Sequence, residues 1–141
     1  YPPYELVLAS KMVDVAKALE SSLFKIGKNV YYLGISNLIS GLGSSIEDRD
    51  EHIRRLGEMA RIFTDAGLIF ISTISDLDDD EAIILKKMVE PDDVLVINFG
   101  EGRFGQFEPH LDVPESFDIE NALQKVKEVL YKQEIVVEYY L

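Results

Sequence analysis

No cysteine occurs among the 141 residues, which excludes a disulfide framework and any thiolate-bound metal and suits a reducing compartment. Long apolar runs are also missing. Nothing approaches the roughly 20 residues needed to cross a bilayer, and the start, Tyr1-Pro2-Pro3-Tyr4, has neither a basic stretch nor a hydrophobic signal core. The expectation is a soluble, cytoplasmic protein that does not engage membranes. The absence of an initiator methionine adds the expectation of a piece excised from a longer polypeptide. Positive charge is scarce: 26 acidic side chains face 14 basic ones, for a net charge of -12. Such a field repels nucleic-acid backbones and anionic lipid. A small anion would need a local cluster of cations or backbone amides to overcome it.

What is present is enough apolar material, 47% of residues, to bury one sizeable core, so a single domain over 1–141 is expected. Residues 4–9 (YELVLA) read as a short buried strand. Residues 12–26 read as a helix through Val15, Ala16, Leu19, Leu23 and Ile26, capped by Gly27. Residues 29–35 (NVYYLGI) form a second strand candidate, and 37–42 a short helix or turn. Ser45 with Asp48 fits a capping box for a helix carrying Ile53, Leu56, Met59, Ala60 and Phe63 on one face. Residues 68–73 (LIFIST) read as a central parallel strand buried on both faces. A helix over 78–89, a strand over 93–99, a weak extended segment over 107–113, a helix over 116–132 and an added strand over 133–141 complete the chain. Low-complexity segments and internal repeats are absent. Strand and helix alternating at this interval predict an α/β fold, a parallel sheet flanked by helices.

Ligands of such folds sit at the carboxyl ends of strands, which directs attention to the loops after Ala9, Ile35, Thr73 and Phe99. A phosphate loop needs glycines so that backbone amides can wrap the phosphates, with a lysine and a hydroxyl behind them. No G-x-x-x-x-G-K-[ST] occurs in the sequence, and Ala9-Ser10-Lys11-Met12-Val13 contains no glycine. Lys11 reads as a solvated lysine in a first helical turn rather than a phosphate ligand. Gly100-Glu101-Gly102-Arg103-Phe104-Gly105 matches G-x-G-x-x-G but does not open a helix, and Glu101 would oppose a pyrophosphate; it reads as a flexible loop. The run Asp76, Asp78, Asp79, Asp80, Glu81 reads first as a solvated helix N-terminus. His52 reads as solvent-facing or beside a salt bridge on an Arg-rich helical face, and neither His52 nor His110 has evident metal partners, so no metal site is expected.

Val30-Tyr31-Tyr32-Leu33, Glu47-Asp48-Arg49, His52-Ile53-Arg54-Arg55, Phe63 and Asp65-Ala66-Gly67-Leu68-Ile69 together resemble the adenylylsulfate (APS) kinase family. Ala16-Lys17-Ala18-Leu19-Glu20 resembles the helix that follows that family's phosphate loop. The likeness runs from about Ala16 to Ile74, and more loosely through Pro109-His110-Leu111-Asp112 to Leu130. It implies a three-layer sandwich of the P-loop nucleoside-triphosphate-hydrolase type, and an ancestral activity making PAPS from ATP and APS.

Carried over residue by residue, the resemblance implies a degenerate member. Met12 falls where the phosphate-loop lysine belongs and Val13 where the magnesium-binding hydroxyl belongs. The family's D-G-D-N-V-R stands here as Gly34-Ile35-Ser36-Asn37-Leu38-Ile39, with both aspartates and the arginine gone. Ser44 replaces the substrate-stacking phenylalanine, His52 an asparagine, and Gly100 to Gln106 the basic lid. The remaining substrate-binding candidates are Asn37, Arg49, Ile74 and Ser75, with no catalytic, cofactor or metal residue among them. Phosphoryl transfer relies on positioning and on electrostatic stabilisation of the phosphates, so these losses remove its main supports. The expectation is a non-catalytic regulatory or structural module without cofactor, partnered by other domains of its own polypeptide, such as a sulfate adenylyltransferase or its GTPase partner. A homodimer stays open. The alternatives are a working kinase using ATP and magnesium, and a sensor that binds APS or PAPS without turnover.

Overall fold

The computed structural model describes residues 3–34, 46–101 and 104–133. Helix α1 spans Pro3–Lys25, α2 Ile46–Asp65, α3 Asp79–Met88 and α4 Ile119–Lys132. Strands β1 (Val30–Tyr32), β2 (Ile69–Ile71), β3 (Ile97–Phe99) and β4 (Leu111–Val113) alternate with them. The expected element at 37–42, and all but Gln133 of that at 133–141, lie outside the described residues.

One expected strand is a helix. Residues 4–9 form the first turns of α1, in one uninterrupted run to Lys25. The physical reason is local: no glycine or proline breaks the chain between Tyr4 and Lys25. Once downstream turns have nucleated the helix, each added residue costs little.

The ends of α1 and α2 are set by glycine. At the end of α1, Gly27 adopts φ 83°, its N–H donates to Phe24 C=O at 3.0 Å, and Lys28 N–H donates to Leu23 C=O at 3.0 Å. The end of α2 repeats the pair: Gly67 at φ 85°, its N–H to Thr64 C=O at 3.0 Å, and Leu68 N–H to Phe63 C=O at 2.9 Å. This is the Schellman arrangement, and it needs the left-handed conformation that glycine alone adopts without strain. Asp65-Ala66-Gly67-Leu68 is therefore a helix stop that feeds β2.

β1 and β2 pair in parallel with Val30 opposite Ile69, Tyr31 opposite Phe70 and Tyr32 opposite Ile71. β3 and β4 pair in parallel with Ile97 opposite Leu111 and Phe99 opposite Val113. Both ladders rest on one helical layer: Leu19 and Leu23 of α1 with Val126 and Leu130 of α4 take Val30, Ile69, Ile71, Ile97 and Leu111. The opposite layer is α2 and α3, where Ile53 and Leu56 receive Phe70, Ile74, Leu77, Ile84 and Leu85. Stacked Tyr31, Phe63 and Phe70, with ring centroids 4.9 and 5.4 Å apart, seat the end of α2 on the first ladder. The architecture is a three-layer α/β sandwich with parallel strands in the middle. β2 is not buried on both faces as expected; all three of its residues are half-buried, and among the described residues it pairs only with β1.

Replacing Gly67 by alanine tests the helix stop. A Cβ there meets nothing within 4 Å, so the cost is conformational alone. A loss of about 1 kcal/mol in denaturant unfolding is expected; an unchanged midpoint would contradict it.

Candidate functional site

Arg49 lies in the first turns of α2, opposite the turn that leaves β2. Its Nε donates to Glu81 Oε2 at 2.6 Å and its Nη2 to Glu81 Oε1 at 3.0 Å, a two-pronged ion pair. The same Nη2 donates to the main-chain carbonyls of Ser75 at 2.9 Å and Asp76 at 3.2 Å. Glu81 is 6% exposed. It is also the third residue of α3, where it completes a capping box: Glu81 N–H donates to Asp78 Oδ1 at 2.8 Å, and Asp78 N–H donates to Glu81 Oε1 at 3.2 Å. One carboxylate thus serves a guanidinium and a helix cap, as burial of a charge requires. The Glu81 hydrogen bond raises the Arg49 pKa above its ordinary value, aided by the charges of Glu81, Asp76 and Asp78 and opposed by burial.

The acidic run is a helix cap only part of which is solvated: Asp76, Asp78 and Asp80 are exposed, whereas Glu81 is buried and Asp79 is engaged. Asp78 caps α3, Glu81 holds Arg49, and Asp76, at φ 58°, lies in the turn between β2 and α3. Asp79 reaches the loop after β3, whose backbone N–H groups converge on it: Gly105 at 3.1 Å, Gln106 at 2.9 Å and Phe107 at 3.2 Å. The Gln106 amide foremost, then those of Phe107 and Gly105, hold the Asp79 carboxyl below its ordinary range against desolvation. Successive amides of this kind form an anion-binding nest, and here the anion is the protein's own. The glycine-rich segment is consistent with that role, because residues 104–110 do not continue as a helix.

The candidates divide clearly. Arg49, Ile74 and Ser75 come together: Ile74 packs against Ile53 and Leu56, and Ser75 gives Arg49 its carbonyl. Asn37 lies outside the described residues. Lys11 is neither solvated nor in a first helical turn. It is half-buried in mid-helix, donates to Phe117 C=O, and holds its ammonium 4.2 Å from the Phe117 ring centroid. His52 is buried rather than solvent-facing, with Nδ1 against the Asp48 carbonyl. His110 brackets Val96, whose N–H donates to His110 Nδ1 at 3.1 Å while His110 N–H donates to Val96 C=O. Among the described residues no group of three His, Asp or Glu side chains is placed to hold a metal, and no helix is long and apolar enough to cross a membrane. An open cleft of about 550 Å³ lies beside the Asp79 nest, lined by Asp80, Lys86, Phe107 and Glu108, and includes neither Arg49 nor Ser75. Sequence reasoning missed Glu81 and Asp79 as organising residues. The signal for Glu81 was present, since Asp78 with an acid three positions on is a capping-box spacing.

Comparison with known proteins decides the lineage: the family model for adenylylsulphate kinase matches residues 7–99. The chain belongs to the adenylylsulfate kinase family. An adenylyl-sulfate kinase of Shewanella denitrificans is 40% identical over 106 residues, covering 72% of this chain and 46% of that protein. One from Clostridium acetobutylicum is 41% identical over 85 residues, 54% of this chain and 42% of its own length. The chain spans about half the length of the curated relatives it matches. Among solved structures, a hexameric APS kinase from Thiobacillus denitrificans superposes with a TM-score of 0.76 at 24% identity, over 92% of this chain and 28% of that one. The APS kinase CysC of Mycobacterium tuberculosis, in complex with AMPPNP and APS, gives 0.73 at 21% identity, over 87% of this chain and 91% of that one. These likenesses establish the P-loop NTPase-like fold of this adenylylsulfate kinase family member.

Two outcomes test the site's construction. Arg49→Ala strands a buried carboxylate and should cost about 2 kcal/mol, less than a fully buried pair because Arg49 is partly solvated. Glu81→Ala should cost a similar amount, and in a double-mutant cycle the second loss should be much smaller than the first; full additivity would refute the latch. For Asp79, a carboxyl held low stabilises the folded state above its unfolded pKa, and that contribution is lost as pH falls through the lowered folded value. Protection of the Gly105, Gln106 and Phe107 amides, taken relative to their intrinsic exchange rates at each pH, should therefore hold down to the ordinary carboxylate range, fall below it, and be lost at neutral pH in Asp79→Ala. Equal exchange in both proteins at neutral pH would count against the nest.

Proposed function

We propose that this adenylylsulfate kinase family domain works as a non-catalytic regulatory or structural module of a sulfate-activation protein, a single domain acting in the cytoplasm on other domains of its own polypeptide. The observation that carries this reading is the unbroken helix through Ala9-Ser10-Lys11-Met12-Val13. A phosphate loop needs a turn whose amides point at the anion; amides inside a helix are directed to carbonyls a turn back. Two further observations support it. Lys11 is committed to Phe117, and the amide nest of residues 105–107 is filled by Asp79. These residues do not fit a magnesium-bound triphosphate. Arg49, the retained APS-contact candidate, is likewise engaged by Glu81.

The comparisons favour a second reading. The relatives are named adenylyl-sulfate kinase, so a working kinase that uses ATP and magnesium to convert APS to PAPS follows from lineage more directly than silence does. A third reading is a sensor in which Arg49 and Ser75 take APS or PAPS without turnover, with Ile74 and Asn37 as further candidates. The Thiobacillus denitrificans relative is described as hexameric, which makes self-association of this domain part of the proposal.

Calorimetry with ATP-magnesium, APS and PAPS, beside an assay for ADP release, separates the readings. No heat with ATP-magnesium and no ADP are expected. Turnover would overturn the proposal and establish the kinase. Heat with APS that is absent in a folded Arg49→Ala protein would instead establish the sensor.

A further inference from the structure

Gly34 lies two residues past the end of β1, and glycine is required there for a different reason than at 27 and 67. Its φ is not left-handed, so the backbone itself admits other residues. What forbids a side chain is space. Gly34 is buried, and a Cβ there would lie 2.6 Å from the Tyr32 hydroxyl and 3.3 Å from Thr73 Oγ1.

Tyr32 stands opposite Ile71 in the first ladder, and Gly34 and Thr73 each follow two positions on. Alternation puts all four on one face, the face on which Val30 and Ile71 meet α1 and α4. The phenol reaches over Gly34, and its hydroxyl shares a hydrogen bond of 2.7 Å with Thr73 Oγ1. The surrounding main chain is pinned as well. Tyr32 N–H donates to Glu20 Oε2 of α1 at 2.6 Å, Ser72 Oγ donates to Leu33 C=O at 2.6 Å, and Leu33 N–H donates to Ile71 C=O at 3.0 Å. Moving the ring aside therefore breaks the Thr73 bond without help from a yielding backbone.

We infer that Tyr32 is an internal plug at the carboxyl end of β1: its phenol, bonded to Thr73, fills the space into which a side chain at position 34 would project, so that Gly34 and Tyr32 form a compensating pair. The carboxyl ends of strands are where folds of this class present side chains to ligands. Position 34 is also where the D-G-D-N-V-R pattern carries its first aspartate. An acid returned there displaces the Tyr32 hydroxyl and stands buried beside Thr73, which single substitution at 34 cannot relieve. The functional meaning of the plug rests on the non-catalytic reading above, whereas the exclusion between the two side chains rests on distances alone.

The sign of a substitution tests the pair. Alanine for glycine within a strand ordinarily gains stability, because glycine loses more freedom on folding. Here the sign should reverse, and Tyr32→Phe should abolish the reversal, since the nearest ring atom left is Cζ at 3.4 Å, an ordinary contact. In denaturant unfolding, Gly34→Ala should lower the folding equilibrium constant at least about tenfold in the unaltered background, and by less than about threefold beside Tyr32→Phe. Equal losses in both backgrounds would overturn the inference, as would a Gly34→Ala protein no less stable than the unaltered chain. If Gly34→Ala fails to fold, a folded Gly34→Ala/Tyr32→Phe protein supports the pair and an unfolded one refutes it. ADP release by the unaltered chain would remove the non-catalytic reading without touching this coupling, so the two fail separately.

Discussion

The buried carboxylate of Glu81 is the constraint around which one half of the molecule is arranged. A charge at 6% exposure is tolerated only with close partners, and it has three: both prongs of Arg49 and the main chain of Asp78. Satisfying it fixes the approach of α2 to α3, because Arg49 belongs to one and Glu81 to the other. It also fixes the exit from β2, because the carbonyls of Ser75 and Asp76 complete the Arg49 shell. The apolar contacts of Ile53 and Leu56 with Ile84 and Leu85 then give that geometry its bulk. Hydrophobic burial supplies the larger share of stability there, and the ion pair supplies direction.

The same pairing logic explains how an acidic run can crowd the end of a strand without repelling itself apart. Asp78, Asp79 and Glu81 each face a donor: a helix N-terminus, a nest of loop amides and a guanidinium. Anion-binding elements of the kind that hold phosphates in this fold class are present, but their acceptors are side chains of the same polypeptide. A net charge of -12 already disfavours polyanionic partners. The local geometry adds that, among the described residues, the amides of Gly105, Gln106 and Phe107 and the Arg49 guanidinium are engaged internally.

Much of this was legible in the sequence, for reasons that can be named. Helix α2 carries its signal in Ile53 and Leu56 against the charged positions between them, and its stop in Gly67. The α3 cap was visible in the acids from Asp78 to Glu81. The parallel α/β class followed from alternation. Residues 4–9 misled because a six-residue apolar run has no periodicity of its own; length and flanking breakers arbitrate such runs, and here no breaker separates it from α1. His52 was misjudged by the arginines at 54 and 55, although it lies four residues before Leu56 and so shares the buried stripe. Lys11 was illegible in principle, since its partner Phe117 lies 106 residues away. The half-exposure of Ile69, Phe70 and Ile71 was equally hidden, since a strand's burial depends on which neighbours pair with it.

Arg49 shows how one residue serves the fold whether or not it also serves a ligand. Its presence in a kinase-like D-R-x-x-x-I-R-R pattern invites a ligand-binding role, and the family assignment of residues 7–99 strengthens that invitation. Yet the residue is already committed to the fold. Without it, Glu81 would be a buried charge facing only a helix cap, and the turn at Asp76 would lose its anchor. Its Nε and Nη2 are given to Glu81, Ser75 and Asp76, so a ligand either takes the remaining Nη1 donors or competes with Glu81 at the cost of displacing a buried carboxylate, and the fold needs Arg49 in both cases. That need suffices to retain the residue whatever became of the chemistry. Resemblance centred on Arg49 therefore carries information about the architecture first, and about catalysis only where the phosphate-gripping residues accompany it.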